Sequence, residues 1–235
     1  MSETSGDVFG GDDIPRRLPR LHEATLADIP AQVGLFPLSG ALLLPWGKLP
    51  LNVFEPRYIA LIEDALAGNR LIGMVQPRDE ADDEPAPPLY QVGCLGRITA
   101  FTERADGTFA ITLSGVARFR ILRESDGPRG YRIANIDASG YAADLTELEP
   151  APIDRDRLME SLKRYFAAHQ LRTSWTVIEQ MEDDTLLVVL PMLVPFSADE
   201  KQALLEADTI DARAEVLFTL LEEDVDPDDD DDYEE

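Results

Sequence analysis

The sequence predicts an α+β fold, with a small barrel of short strands holding one inserted helix, followed by a bundle of helices. Three observations predict it. Between Val33 and about Asp144, short apolar or alternating runs recur between Gly, Pro and Asp-Gly turn signals, the pattern of many short strands. Within that region, Ile59, Ile62 and Leu66 fall at helical spacing. After Pro150-Ala-Pro152 the apolar period becomes that of amphipathic helices.

The chain divides into four parts: a flexible arm over residues 1–30, a β domain over 31–148, a helical bundle over 149–223 and a disordered acidic tail over 224–235. Gly10-Gly11, Pro15, Pro19 and Pro30 punctuate the arm, which also carries Arg16, Arg17 and Arg20. Val33-Gly-Leu-Phe-Pro-Leu38 and Ala41-Leu-Leu-Leu44 read as buried strands, and Leu51-Asn-Val-Phe54 follows. Pro56 suits a first helical position, where a missing N–H costs nothing, and Gly68-Asn69 supplies the stop. Leu71-Ile-Gly-Met-Val75 is the next strand, and Pro77 to Leu89 is an acidic, proline-rich loop. Gln91–Thr102 and Thr108–Leu113 pair through Asp106-Gly107, where Gly takes a positive φ without steric cost. Ser114-Gly115 reads as a turn, Arg118-Phe-Arg-Ile121 as a half-solvated strand, Ser125-Asp-Gly-Pro128 as a turn and Tyr131 to Ile136 as a strand.

In the helical part, Leu158, Leu162 and Phe166 share a face, with Asp154 or Asp156 placed to cap its start. A short helix is expected over Trp175–Met181, and another over Thr185–Leu193 interrupted by Pro191. Ser197-Ala-Asp-Glu200 is a capping-box pattern that opens the next helix, and the last helix presents Ala214, Leu217 and Leu221 together.

Composition limits the function. A net charge of −25 argues against nucleic acid as a partner, because phosphate binding draws on Lys and Arg. Eleven of the acids lie in Glu222–Glu235, where repulsion keeps a segment from packing. No apolar run reaches the roughly 20 residues that span a bilayer, and the first 30 residues hold no signal-like apolar region, so the cytoplasm is expected. The single cysteine, Cys94, excludes an internal disulfide and reads as a small buried hydrophobe in a strand. There is no phosphate-binding G-x-x-x-x-G-K-[ST], no G-x-G-x-x-G, no C-x-x-C, no H-E-x-x-H and no G-x-S-x-G. His22 and His169, far apart in sequence, argue against a His-based zinc site, and no cofactor is expected. His169 reads as a helix-end residue favoured by the dipole.

Leu35-Phe-Pro-Leu38, Leu44-Pro-Trp-Gly47, Leu49-Pro-Leu51 and Phe54-Glu-Pro-Arg-Tyr58 resemble the opening of the substrate-binding N-terminal domain of Lon-type proteases. Trp46, between the Pro and the Gly, departs from that pattern. Gly93-Cys-Leu-Gly-Arg-Ile98, Leu113-Ser-Gly-Val-Ala-Arg-Phe119, Leu190-Pro-Met-Leu-Val-Pro-Phe-Ser197 and Glu200-Lys-Gln-Ala-Leu-Leu-Glu206 extend the resemblance over about Val33–Leu221. It implies a PUA-like pseudo-barrel followed by a helical bundle, and recognition of unfolded or loosely folded polypeptide. The ATPase and peptidase modules of full Lon proteases have no place in these 235 residues, so neither activity is expected.

Leu35, Phe36, Leu38, Phe54 and Tyr58 are core candidates. Pro45 and Trp46 lie in a loop where an exposed Trp would anchor a partner, and Glu55 and Arg57 flank the helix start. Pro45, Trp46, Phe54, Glu55, Arg57 and Tyr58 are therefore the candidate binding residues. The expected function is a non-catalytic polypeptide-binding module, an adaptor or quality-control factor with a protease or chaperone partner. A small-ligand sensor using a barrel pocket and a hydrolase with a site of scattered residues are the alternatives.

Overall fold

A computed structural model describes residues 19–78, 87–146 and 153–223. The acidic tail, the first part of the arm, most of the acidic loop and the Pro150-Ala-Pro152 boundary lie outside the described residues. From Pro19 onward the arm makes two 3-10 turns, Leu21–Glu23 and Leu26–Asp28, and Arg97 Nη1 donates to the Pro19 carbonyl at 2.5 Å. Leu21 and Ile29 pack against the sheet's smaller core cluster.

Six strands follow: β1 Gln32–Pro37, β2 Lys48–Val53, β3 Leu71–Val75, β4 Val92–Glu103, β5 Phe109–Asp126 and β6 Arg132–Asp137, with helix α1, Pro56–Ala67, between β2 and β3. Their order is β2-β5-β4-β3-β1-β6, and β5 also pairs with β6, so the hydrogen bonding runs round a ring of five strands. Among the described residues only β1 and β3 pair in parallel. β2 pairs, among the described residues, with β5 alone, with Pro50 opposite Thr112.

The helix start has the expected chemistry: Pro56 opens α1, and Tyr58, Leu61, Ile62 and Ala65 turn inward. Its end is tighter than expected. Gly68 N–H reaches the Asp64 and Ala65 carbonyls, but the left-handed residue is Arg70 (φ 63°), whose N–H returns to Ala65 O at 2.8 Å. The β4–β5 hairpin closes at Asp106-Gly107, where Gly107 has φ 80° and the Asp106 carboxylate accepts the Thr108 N–H at 3.0 Å.

Four expectations are corrected. Arg118-Phe-Arg-Ile121 is not half-solvated: Arg118 is buried with Phe119 and Ile121, and Arg120 is the exposed residue of the four. Ser114-Gly115 is no turn but lies inside β5. The ladder with β4 continues through a one-residue slip, Leu95 opposite Ala117 and then Gly96 opposite Gly115. A Cβ on Gly115 would sit 1.9 Å from the Leu44 carbonyl oxygen, so the glycine serves close backbone approach. Ala41–Leu44 is not a strand. Its three leucines are buried, but an apolar run reports burial and not a ladder partner. Pro191 does not interrupt its helix, because in a last turn it forfeits only the bond to the Leu187 carbonyl.

The helices are α2 Arg155–Ala168, α3 Trp175–Glu179, α4 Asp183–Leu193, α5 Ala198–Glu206 and α6 Ile210–Glu223. Asp154 caps α2 by accepting the Arg157 N–H, and Ser197 and Glu200 form the reciprocal box at α5. One apolar cluster runs from Phe36, Leu43 and Ile62 through Leu158, Leu186 and Leu217, so sheet and helices share a core.

Polar joints fix α5 to the sheet. Gln202 Nε2 donates to Val92 O, Gln76 Nε2 to Ala198 O, and Lys201 Nζ to Gly40 O. Beside them, Arg118 on β5 and Asp144, in the 3-10 segment Ser139–Leu145, form a buried ion pair, their side chains 5% and 8% exposed. Asp144 accepts from Arg118 N, Nε and Nη2, all at 2.9 Å, while the guanidinium also reaches the carbonyls of Leu205, at the end of α5, and of Ala207 and Asp208, in the link to α6. Arg213, also buried, donates to Leu204 O; burial and then the nearby Arg118 push its pKa down to about 10.

Candidate functional site

An apolar groove opens on the helical side, between the end of α2, α3 and the end of α4, with a cavity of about 340 Å³. Each wall has a local cause. α2 stops at His169, whose Nδ1 lies 3.0 Å from Tyr165 O and whose ring stacks on Tyr165. Gln170 then takes a left-handed φ of 54° and turns the chain back, so Leu171 N–H meets Phe166 O at 2.8 Å and Leu171 joins Phe166 in the wall. α3 contributes Val177 and Ile178, and Met181 follows it. α4 ends at Leu193, because Val194 is extended ahead of Pro195, as a residue before proline prefers.

The groove is exposed where a core would be closed: Leu193 is 73% and Val177 52% accessible. Arg172 is the charged side chain among the lining residues. Trp175 packs edge-on against Phe166, with Lys163 over its outer face at 5.7 Å. The arrangement offers apolar contact with few groups to orient a reacting atom.

The six residues put forward from the sequence fall into separate places. Pro45 is buried. Trp46 is 37% exposed, and its indole N–H donates to the Asp144 carbonyl at 3.1 Å. The turn around it is closed by Gly47 N–H to Leu44 O at 3.0 Å, with Pro45 second and Trp46 third at φ 70°, the pattern of a type II turn. Leu21, His22, Lys48, Val116 and Leu145 complete a cleft of about 190 Å³ beside it, and His22 Nε2 lies 3.8 Å from Glu23.

Phe54 lies beyond the other end of β2, eight residues or about 26 Å of extended chain from Trp46, and is 69% exposed; it is not a core residue. Glu55 and Arg57 pair with each other at 2.9 Å at the surface, and Arg57 lies over the Tyr58 ring. Tyr58 is buried and stacks on Phe36 with ring centres 4.3 Å apart. Glu55 and Arg57 thus brace the corner into α1, and Tyr58 belongs to the core. Sequence reasoning missed Val177, Met181 and Leu193; the available signal was Val194-Pro195, which ends a helix with an apolar residue beyond its buried face. Among the described residues no three His, Cys, Asp or Glu side chains gather to hold a metal ion, and no helix is long and apolar enough to cross a membrane.

The model of the ATP-dependent protease La (Lon) substrate-binding domain matches residues 32–223. The chain belongs to the Lon substrate-binding domain family. Lon protease 2 of Myxococcus xanthus is 31% identical over 203 residues, 83% of this chain and 24% of that protein. Lon protease of Anaeromyxobacter dehalogenans (strain 2CP-C) is 32% identical over 83% of this chain and 23% of its own length. The chain therefore spans about a quarter of these curated relatives, and the match falls on the substrate-binding domain and not on catalytic parts.

Two solved structures share the fold. The Lon N-terminal domain protein from Xanthomonas campestris gives a TM-score of 0.56 at 24% identity, covering 80% of this chain and 97% of that one. The N-terminal domain of Mycobacterium avium complex Lon protease gives 0.54 at 19%, covering 81% and 97%. Both the groove and the Trp46 turn lie inside the span matched to the Lon domain.

Proposed function

We propose that this Lon-type domain is a non-catalytic, cytoplasmic polypeptide-binding module that takes unfolded or loosely folded segments into the groove between α2, α3 and α4. The observation that carries this is the open apolar groove with Leu193 and Val177 at its rim. Covering each of those side chains contributes about 1.5–3 kcal/mol at most. Ordering a flexible peptide offsets part of it, so the affinity is weak. Phe54, exposed at the entry to α1, is a further apolar contact for a long segment. The strand ring fits a PUA-like pseudo-barrel that carries the helices as a platform. In an adaptor or quality-control role, polypeptide bound in the groove would pass to a protease or chaperone partner.

The test is titration of a fluorescently labelled, permanently unfolded protein at low and high ionic strength. Apolar contact predicts binding that survives salt. Val177→Asp with Leu193→Asp, both on exposed positions, should weaken it by about tenfold or more, the effect of losing roughly 1.4 kcal/mol, with the thermal midpoint preserved. Undiminished binding by the double variant would move the site elsewhere. Absence of binding by the unaltered protein up to several hundred micromolar, roughly the −5 kcal/mol range, would end the module reading.

A further inference from the structure

The Trp46 turn is costly and is held against β5, with Trp46 N–H donating to Gly115 O at 3.1 Å and Gly115 N–H to Gly47 O at 2.9 Å. The third position of a type II turn favours Gly or Asn, and a bulky side chain there is held in a backbone conformation that L-residues avoid. Such outliers persist where the surrounding structure imposes them, and they cluster at ligand sites. Here the indole N–H is tied to the Asp144 carbonyl, which fixes the ring as one wall of the 190 Å³ cleft. Leu21, Val116 and Leu145 supply the apolar remainder.

Lys48 brings a permanent positive charge to the cleft, whose lining also holds His22, 3.8 Å from Glu23. The Asp144 carboxylate in the lining is spent on Arg118, with three bonds at 2.9 Å, so that pair is neutral as a unit. Lys48, at the start of β2, has no carboxylate partner among the described residues, in a chain with 46 acids and 21 bases. The cleft is too small for a folded surface or an extended segment. It suits one apolar side chain with an anion next to it.

We infer that the Trp46 cleft binds the C-terminal residue of a polypeptide, an apolar side chain against the indole and the free α-carboxylate at Lys48. The inference rests on the polypeptide-binding reading and adds chain-end selection at a second place on the domain. Recognition of a terminal carboxylate beside an apolar pocket is a recurrent peptide-binding mode. It would let the domain distinguish an exposed chain end from an internal apolar segment, which the groove alone does not do.

The experiment follows the fluorescence anisotropy of a short Gly-Ser peptide, labelled at its N-terminus and ending in Leu, against its C-terminal amide. The free acid should bind about tenfold or more tightly than the amide, the effect of one charge-assisted contact. Lys48→Gln should abolish the preference and Lys48→Arg should keep it. Trp46→Gly should lose binding of both peptides while the protein still folds, since Gly is the residue the turn position favours. Equal binding of acid and amide, no binding of either at millimolar peptide, or a preference that survives Lys48→Gln would each overturn the inference. If the same preparation still binds labelled unfolded protein, the failure lies with this cleft and not with the module reading; if it binds neither, both readings fall.

Discussion

Replacing Asp144 with Ala should be among the most damaging single changes available in this chain. The substitution removes the acceptor for Arg118 N, Nε and Nη2 and leaves the guanidinium 5% exposed, without its counter-ion and with Arg213 nearby. The remaining bonds to the Leu205, Ala207 and Asp208 carbonyls hold the charge in place, so it cannot swing out to water. Breaking a buried pair from one side costs about 3–5 kcal/mol. At about 2–4 °C per kcal/mol for a chain of this size, the thermal midpoint should fall by roughly 6–20 °C. Urea denaturation with linear extrapolation gives the free energy directly. Asp144→Asn, which keeps one acceptor, should cost less. Arg118→Met combined with Asp144→Leu should cost clearly less than the sum of the two single changes, because no lone charge remains. A loss below about 1 kcal/mol for Asp144→Ala, or single costs that add within about 0.5 kcal/mol, would refute the claim that this pair joins sheet and helices as a unit.

Other expectations follow from single sites. Ser197→Ala should cost about 1 kcal/mol in urea denaturation while Ser197→Asp is tolerated, since the cap needs an acceptor at a helix N-terminus; equal losses would deny the cap. Gly115→Ala should cost about 3 kcal/mol, the upper end of overpacking, because the new methyl meets the Leu44 carbonyl and not a yielding side chain. A near-neutral result would mean that the turn before β2 moves freely. Stability should hold up to about pH 9 and fall above it. Burial pushes the Cys94 thiol up from its ordinary 9.0, and burial, then a bond to Asp64, push Tyr131 up from 10.0 to about 12. The unfolded chain thus releases protons that the folded chain keeps. Cys94→Ala should flatten the first part of that decline in urea midpoints between pH 8 and 11, and an unchanged slope would exclude the thiol.

Much of the fold was legible because its signals were local. Pro56 before an apolar helical stripe, Asp106-Gly107 between alternating runs, and Ser197 three residues before Glu200 each specify an element from adjacent chemistry. Cys94 in its strand was legible for the same reason. The errors came where a distant segment decided the outcome. Ser114-Gly115 looked like a turn because the reason for Gly115 is the Leu44 carbonyl, seventy-odd residues back in sequence. Ala41–Leu44 looked like a strand because burial was visible and the missing ladder partner was not. The candidate site was less legible than the fold. Val177 and Leu193 carry core-like identities, and their exposure depends on where α2 and α4 happen to stop. The Trp46 ring stands out in the sequence, and Pro45 before it and Gly47 after it are the local sign of a turn.

The margin of β2 that faces away from β5 has a consequence for self-association. Gly115 N–H bonds to Gly47 O, and since an antiparallel ladder alternates, the peptide groups of Lys48, Pro50 and Asn52 face that margin. Pro50 sits at its centre and has no hydrogen to give, and Lys48 places a charge at one end. A strand laid alongside would find its bonding row broken in the middle. In a domain that leaves an apolar groove open on its helical side, this strand is guarded against seeding a growing stack of extended chains.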